Sequence, residues 1–126
     1  MIASLTRQRL WLAAFWGAMA LTFVSAELPT EYAPALNIWD KAAHFGTFFV
    51  LASLGAFSYP ARPFRVVGAS LTAFGVLIEL VQALPLIHRD AELLDVVADV
   101  LGIAAALIPL RLFGLPKYRR ADAAGR

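Results

Sequence analysis

Residues 66–86 read VVGASLTAFGVLIELVQALPL. A helix needs about 20 apolar residues to cross the ~30 Å hydrocarbon core of a bilayer, and this stretch fits apart from Glu79 and Gln82. A carboxylate at the centre of a membrane helix costs about 2.5–3.5 kcal/mol on insertion scales. A chain carries one there only if it meets other polar groups, water or a ligand. The fold therefore turns on what the rest of the chain brings to Glu79.

Three further apolar blocks surround this one, at 10–26, 41–59 and 93–113. The chain has 126 residues, 60% of them hydrophobic, with mean hydropathy +0.70. A small soluble domain leaves too much of its surface exposed to hide so much apolar side chain. The pattern predicts an all-α, four-helix transmembrane bundle forming a single domain over 1–126, with a basic cytoplasmic tail at 114–126. Glu27, Pro29, Glu31 and Pro34 mark the first connection, Pro60-Ala61-Arg62-Pro63 a tight turn, and His88-Arg89-Asp90 a polar loop. Pro85 and Pro109 would each kink or end their helix, since proline cannot donate to the helical ladder. No cysteine is present, which excludes disulfides, thiolate zinc sites and a cysteine nucleophile.

Basic residues set the expected orientation. Arg7, Arg9, Arg62, Arg65, Arg111, Lys117, Arg119, Arg120 and Arg126 fall on one side of a four-span chain. Only Lys41 and Arg89 fall on the other, beside Glu27, Glu31, Asp90 and Glu92. The positive-inside rule puts both termini in the cytoplasm. Trp39 and Tyr32 on one side, and Tyr59, Phe64, Phe113 and Tyr118 on the other, suit interfacial belts. The tail reads as topogenic and lipid-contacting. It lacks the interleaved aromatics of a nucleic-acid binder, so no nucleic-acid partner is expected.

In that topology the polar residues converge. Asp40 and His44 are four apart on the second helix and share a face, and Lys41 lies with them in its first turns. Glu79 and Gln82 share a face on the third helix, Asp95 and Asp99 lie one turn apart on the fourth, and Arg89 sits in the loop between them. Antiparallel order brings all eight to the outer half of the bilayer. Gly68, Thr72 and Gly75 continue the polar stripe of the third helix, and Gly102 and Ala106 that of the fourth. Small residues let helix backbones approach closely, so these stripes face inward. The first helix, with Ala14, Ala18, Thr22 and Ser25 on one face, reads as scaffold.

Asp40-Lys41-x-x-His44-Phe45, then Glu79-x-x-Gln82, then Arg89 with Asp95-x-x-x-Asp99-x-x-Gly102, resembles the VanZ-like family of small bacterial integral membrane proteins. The likeness covers roughly residues 38–107. It implies a multi-pass protein of the bacterial cell (inner) membrane and a cell-envelope role, because the family takes its name from a teicoplanin-resistance determinant. It does not imply a mechanism. The family usually has Asn where this chain has Asp99, and often Gly where it has Ala106.

Three readings of the cluster follow. A structural reading uses the polar groups as interhelical ties, worth only about 0.6 kcal/mol each on average. A binding reading has Arg89, Lys41 and His44 hold the phosphate or carboxylate of a lipid or lipid-linked wall precursor. Asp40, Glu79, Gln82, Asp95 and Asp99 then position those cations or take amino and hydroxyl groups. A chemical reading makes His44 and its carboxylates an acid–base or metal-assisted centre, or a proton-coupled pathway that a chain this size would build as a homo-oligomer. Binding is the expectation rather than catalysis, with membrane lipids as partners and no cofactor. No recognised metal spacing or phosphate loop is present, so no metal is expected either.

Arg7 and Arg9 before an apolar run ending Val24-Ser25-Ala26 also resemble a cleavable signal peptide. The run is longer than a usual signal core and three more blocks follow, so the first helix is expected to be retained. N-terminal sequencing of the membrane-extracted protein should start at or next to Met1; a mature chain starting at Glu27 would contradict the four-helix reading.

Overall fold

The computed structural model describes residues 2–28, 37–87 and 90–114. These residues form helices α1 (Ile2–Ala26), α2 (Asn37–Ser58), α3 (Phe64–Gln82) and α4 (Leu93–Phe113), with no strand among them. Three stretches are long and apolar enough to cross a membrane: Ala3–Ala26, Phe64–Gln82 and Leu93–Phe113. In α2, Asp40, Lys41 and His44 occupy the first turns and lower the hydropathy of an otherwise apolar helix.

The helix limits differ from those expected, each for a local reason. α1 begins eight residues earlier, because Thr6-Arg7-Gln8-Arg9 are mostly good helix formers and Gln8 Nε2 donates to the Ser58 carbonyl. α2 begins at Asn37, which puts Asp40 in its first turn, where a carboxylate meets the positive end of the helix dipole. α3 starts at Phe64, directly after Pro63, whose carbonyl accepts from Val66 and Val67. It ends at Gln82 rather than at Leu86. The Pro85 ring would clash with the Val81 carbonyl in a continued helix, so Leu84 N–H turns back to Val81 and Ile87 N–H to Leu84, both at 3.0 Å. Pro109, by contrast, lies within α4, which continues through it to Phe113.

α2 is the central helix and packs on all three others; its most extensive contact is with α4. Phe48, Leu51, Ala52 and Ala56 of α2 are fully covered, joined by Phe15 of α1, Leu71 and Ile78 of α3, and Ile103 and Leu107 of α4. Trp11 stacks on Phe57 and Ser58 Oγ donates to the Trp11 carbonyl, which runs α1 antiparallel to α2. Gly68 faces Ile103 and Leu107 while Gly75 faces Asp99, which runs α3 antiparallel to α4. α2 and α4 lie parallel, with Lys41 opposite Asp95, His44 opposite Asp99, and Phe45 opposite Gly102. The outer surface is apolar, with Leu10, Leu21, Leu80, Leu101, Ile108 and Phe113 exposed.

Gly102 makes the α2–α4 contact possible. A Cβ there would meet the carbonyl oxygen of Phe45, and would lie 3.1 Å from both the Phe45 carbonyl carbon and the Phe49 nitrogen. Those are backbone atoms, which cannot swing aside. Gly46, on the same stretch of α2, has nothing within 4 Å of an added Cβ. Gly102→Ala should therefore lower stability by about 1–3 kcal/mol, the usual range for overpacking. Gly46→Ala should be neutral or stabilising by up to about 1 kcal/mol. Thermal unfolding in detergent checks the contrast, and equal midpoints for the two variants would remove the close contact from the account.

Candidate functional site

The polar residues meet at the end of the structure where α2 and α4 begin and α1 and α3 end. Asp40 and Asp95 both sit in first turns. Two helix N-termini thus direct their unpaired N–H groups and positive dipole ends toward one acidic cluster.

Ion pairs between α2 and α4 make up the cluster. Lys41 Nζ donates to both Glu92 and Asp95, and Asp95 is almost wholly buried at 3% exposure. His44 Nδ1 lies 2.8 Å from Asp99 Oδ1, with His44 Nε2 3.5 Å from Asp95 Oδ2. His44 thus reaches Asp99 through Nδ1 while its Nε2 faces Asp95 on the same side of α4. Asp99 is 0% exposed, and its second oxygen faces α3 so closely that a Cβ at Gly75 would come within 2.5 Å of it. Asp40, partly exposed, lies near enough to act electrostatically on His44. Asp40 and His44 line a cavity of about 310 Å³ together with Thr22, Ser25, Thr47 and Phe48.

Glu79 and Gln82 act as interhelical ties, as the structural reading expects, and they do so at helix ends, which the sequence did not indicate. Glu79 Oε2 accepts the backbone N–H of Glu92 at 2.8 Å, and Glu92 is the N-cap of α4. Gln82 Nε2 donates to the carbonyl of Ala26 at 2.8 Å, and Ala26 ends α1. Each side chain of α3 thus satisfies a helix terminus on a neighbour, where backbone groups have no partner of their own. Because α3 stops at Gln82, Glu79 lies one turn from its end, about 6 Å nearer the end than a helix reaching Leu86 would place it.

The unmet capacity of the cluster consists of acceptors. Asp99 Oδ2, Glu79 Oε1 and Gln82 Oε1 are buried and accept no hydrogen bond from the described residues. Among the described residues, one ammonium and one imidazole, both already engaged, face the carboxylates of Asp40, Glu79, Glu92, Asp95 and Asp99. Leaving such acceptors buried and unsatisfied costs about 1–3 kcal/mol each. Arg89 and the tail residues 115–126 lie outside the described residues, as does His88. The structure thus brings together Asp40, Lys41, His44, Asp95 and Asp99, sets Glu79 and Gln82 at the cluster's α3 edge, and adds Glu92. Glu92 was classed only as an outer-side charge. Gly75, on the inward stripe expected of it, leaves room for the Asp99 carboxylate.

No family model matches the chain, and no curated protein or solved structure does.

Lys41 is the cation that compensates buried Asp95. Removing one partner of a buried pair leaves an uncompensated charge and costs about 3–5 kcal/mol. Lys41→Met should destabilise by that order, and Lys41→Met combined with Asp95→Leu should recover much of the loss. Unfolding midpoints of the single and double variants in detergent decide it; a double variant no better than the single would show that Asp95 is compensated by something else.

Proposed function

We propose that the chain is a VanZ-like, multi-pass protein of the bacterial cell membrane, with all four helices spanning and both termini in the cytoplasm. In this reading its cluster binds the head group of an envelope lipid or lipid-linked wall precursor. Several features support the placement. α1, α3 and α4 are long and apolar enough to cross, and the exterior carries exposed Leu, Ile and Phe, the surface expected against lipid. α2 lies between the others, so its polar first turns are shielded by protein, as irregular or polar groups at membrane depth require. Arg7, Arg9, Arg62 and Arg65 lie at the end opposite the cluster, and Arg111 in the last turn of α4 is there too, which the positive-inside rule assigns to the cytoplasm. The cluster then occupies the external half.

The observation that carries the binding reading is the set of buried oxygens that accept no hydrogen bond from the described residues, at the same end of the bundle as the cavity lined by Asp40 and His44. A ligand completing this site must bring hydrogen-bond donors: hydroxyl or amino groups, as in a sugar, an ethanolamine or a peptide. Its anionic part falls to Lys41 and Arg89, with Arg suited to a bidentate phosphate contact. The envelope setting and a role in glycopeptide tolerance rest on the resemblance carried by Asp40-Lys41-x-x-His44-Phe45 and the motifs that follow it.

The capping bonds of Glu79 and Gln82 favour a second, structural reading for those two residues. Their loss should lower the amount of folded protein, whereas changes at Asp40 and Arg89 should not. Mass spectrometry of lipids retained by the purified protein tests the binding reading. Native protein should hold a distinct phosphorylated lipid that Arg89→Ala and Asp40→Asn lose while remaining in the membrane at normal levels; identical lipid profiles would overturn it.

A further inference from the structure

We infer that Asp40, His44 and Asp95 form a site for one divalent first-row metal ion, with Asp99 as the residue that orients the ligating imidazole. One ligand atom from each of the three residues lies within 4.8 Å of the others. His44 Nε2 and Asp95 Oδ2 are 3.5 Å apart. That is too long for a hydrogen bond, but it is close to the spacing of two ligands on a tetrahedral ion with bonds of about 2.1 Å. Asp40 and His44 are four apart on α2 and share a face, so one helix supplies two donors and α4 the third.

The surroundings of these donors match the outer shell of a metal centre. A metal-bound histidine almost always donates its other ring N–H to a carboxylate or carbonyl, which fixes its tautomer and orientation. Here Nδ1 lies 2.8 Å from Oδ1 of fully buried Asp99 and Nε2 is the ring nitrogen nearer Asp95 Oδ2, so the tautomer that donates from Nδ1 offers Nε2 to an ion. Ligating carboxylates are themselves hydrogen-bonded, and Asp95 uses its other oxygen to hold Lys41. An independent sign is the set of buried acceptors around these donors. Glu79 is 8% exposed and interacts electrostatically with Asp95, His44 and Asp99, and its Oε1, like Asp99 Oδ2, accepts no hydrogen bond from the described residues. A dication between Asp40, His44 and Asp95 would meet a carboxylate cluster that faces, among the described residues, one Lys and one His.

The donor set is one imidazole nitrogen and two carboxylate oxygens. It suits Zn²⁺, Mn²⁺ or Fe²⁺ rather than a soft ion that prefers sulfur. Three protein ligands leave coordination positions open, and Asp40 and His44 face the cavity of about 310 Å³. An ion there turns an acidic cluster into one that attracts a phosphate oxygen. That last role rests on the proposed head-group reading; the ion site itself does not. The sequence expectation of no metal rested on spacing along the chain, whereas this donor set is completed across two helices.

The test is calorimetric titration of chelator-stripped protein in detergent with Zn²⁺ and with Mn²⁺. We expect one ion per chain, bound about a hundredfold or more weaker in Asp40→Asn and His44→Gln, and about ten- to a hundredfold weaker in Asp99→Asn. Asp40 sits partly exposed at the cavity edge, so Asp40→Asn keeps the test sound if a change at the buried positions prevents folding. Absence of stoichiometric binding of either ion overturns the inference, as does unchanged affinity in Asp40→Asn. Protein that retains a phosphorylated lipid but takes up neither ion overturns the metal site alone and leaves the head-group reading standing.

Discussion

The backbones of α2 and α4 touch at Gly102, and the rest of the polar end depends on that contact. With no side chain at Gly102, the Phe45 carbonyl and Phe49 nitrogen come against α4. The two helices run parallel, so this single close point sets their register one turn and two turns above it. Asp99 then falls opposite His44, and Asp95 opposite Lys41. A shift of one residue would rotate Asp95 and Asp99 by about 100° and turn both carboxylates away from their partners. Small residues at helix contacts usually serve packing; here the packing also assigns the charge pairs.

α3 closes the cluster from the other side and does so by helix-end chemistry. Glu79 satisfies the start of α4, and Gln82 the end of α1. These bonds explain why two polar residues can stand near the end of an apolar helix without belonging wholly to a ligand site. They also leave one oxygen on each side chain without a donor among the described residues, so the structural and binding readings meet in the same residues. Gly75 has a comparable double role: its lack of a side chain makes room for the Asp99 carboxylate. In the proposed membrane setting such arrangements matter more, because lipid offers no water to groups left unpaired.

Much of this was legible in the linear sequence. Apolar blocks near 20 residues long gave four helices, and antiparallel order alone placed Asp40, Lys41, His44, Glu79, Asp95 and Asp99 at one end. Periodicity put Gly75 and Gly102 on the inward stripes. The pairings were not legible, because each depends on the relative rotation and register of two helices, which spacing along one helix does not contain. Lys41 had several equivalent carboxylates to choose from, and only the contact at Gly102 selects Asp95. The end of α3 was set four residues too far on, although Pro85 carried the warning, because the apolar run continues past it. The sequence placed Asp40, His44 and Asp95 in one cluster but could not show that these three approach one another most closely, because Asp95 arrives from another helix.

In the proposed topology the cluster lies in the external half of the membrane and opens to a polar ligand through the cavity lined by Asp40 and His44. The chain has no cysteine, so single cysteines introduced at Thr47, which lines that cavity, and at Arg62, in the exposed turn at the opposite end, report without background. A membrane-impermeant maleimide applied to intact cells should label Thr47→Cys directly and Arg62→Cys only after the membrane is opened. Labelling of Arg62→Cys from outside, with Thr47→Cys protected until disruption, would contradict the orientation and the site together.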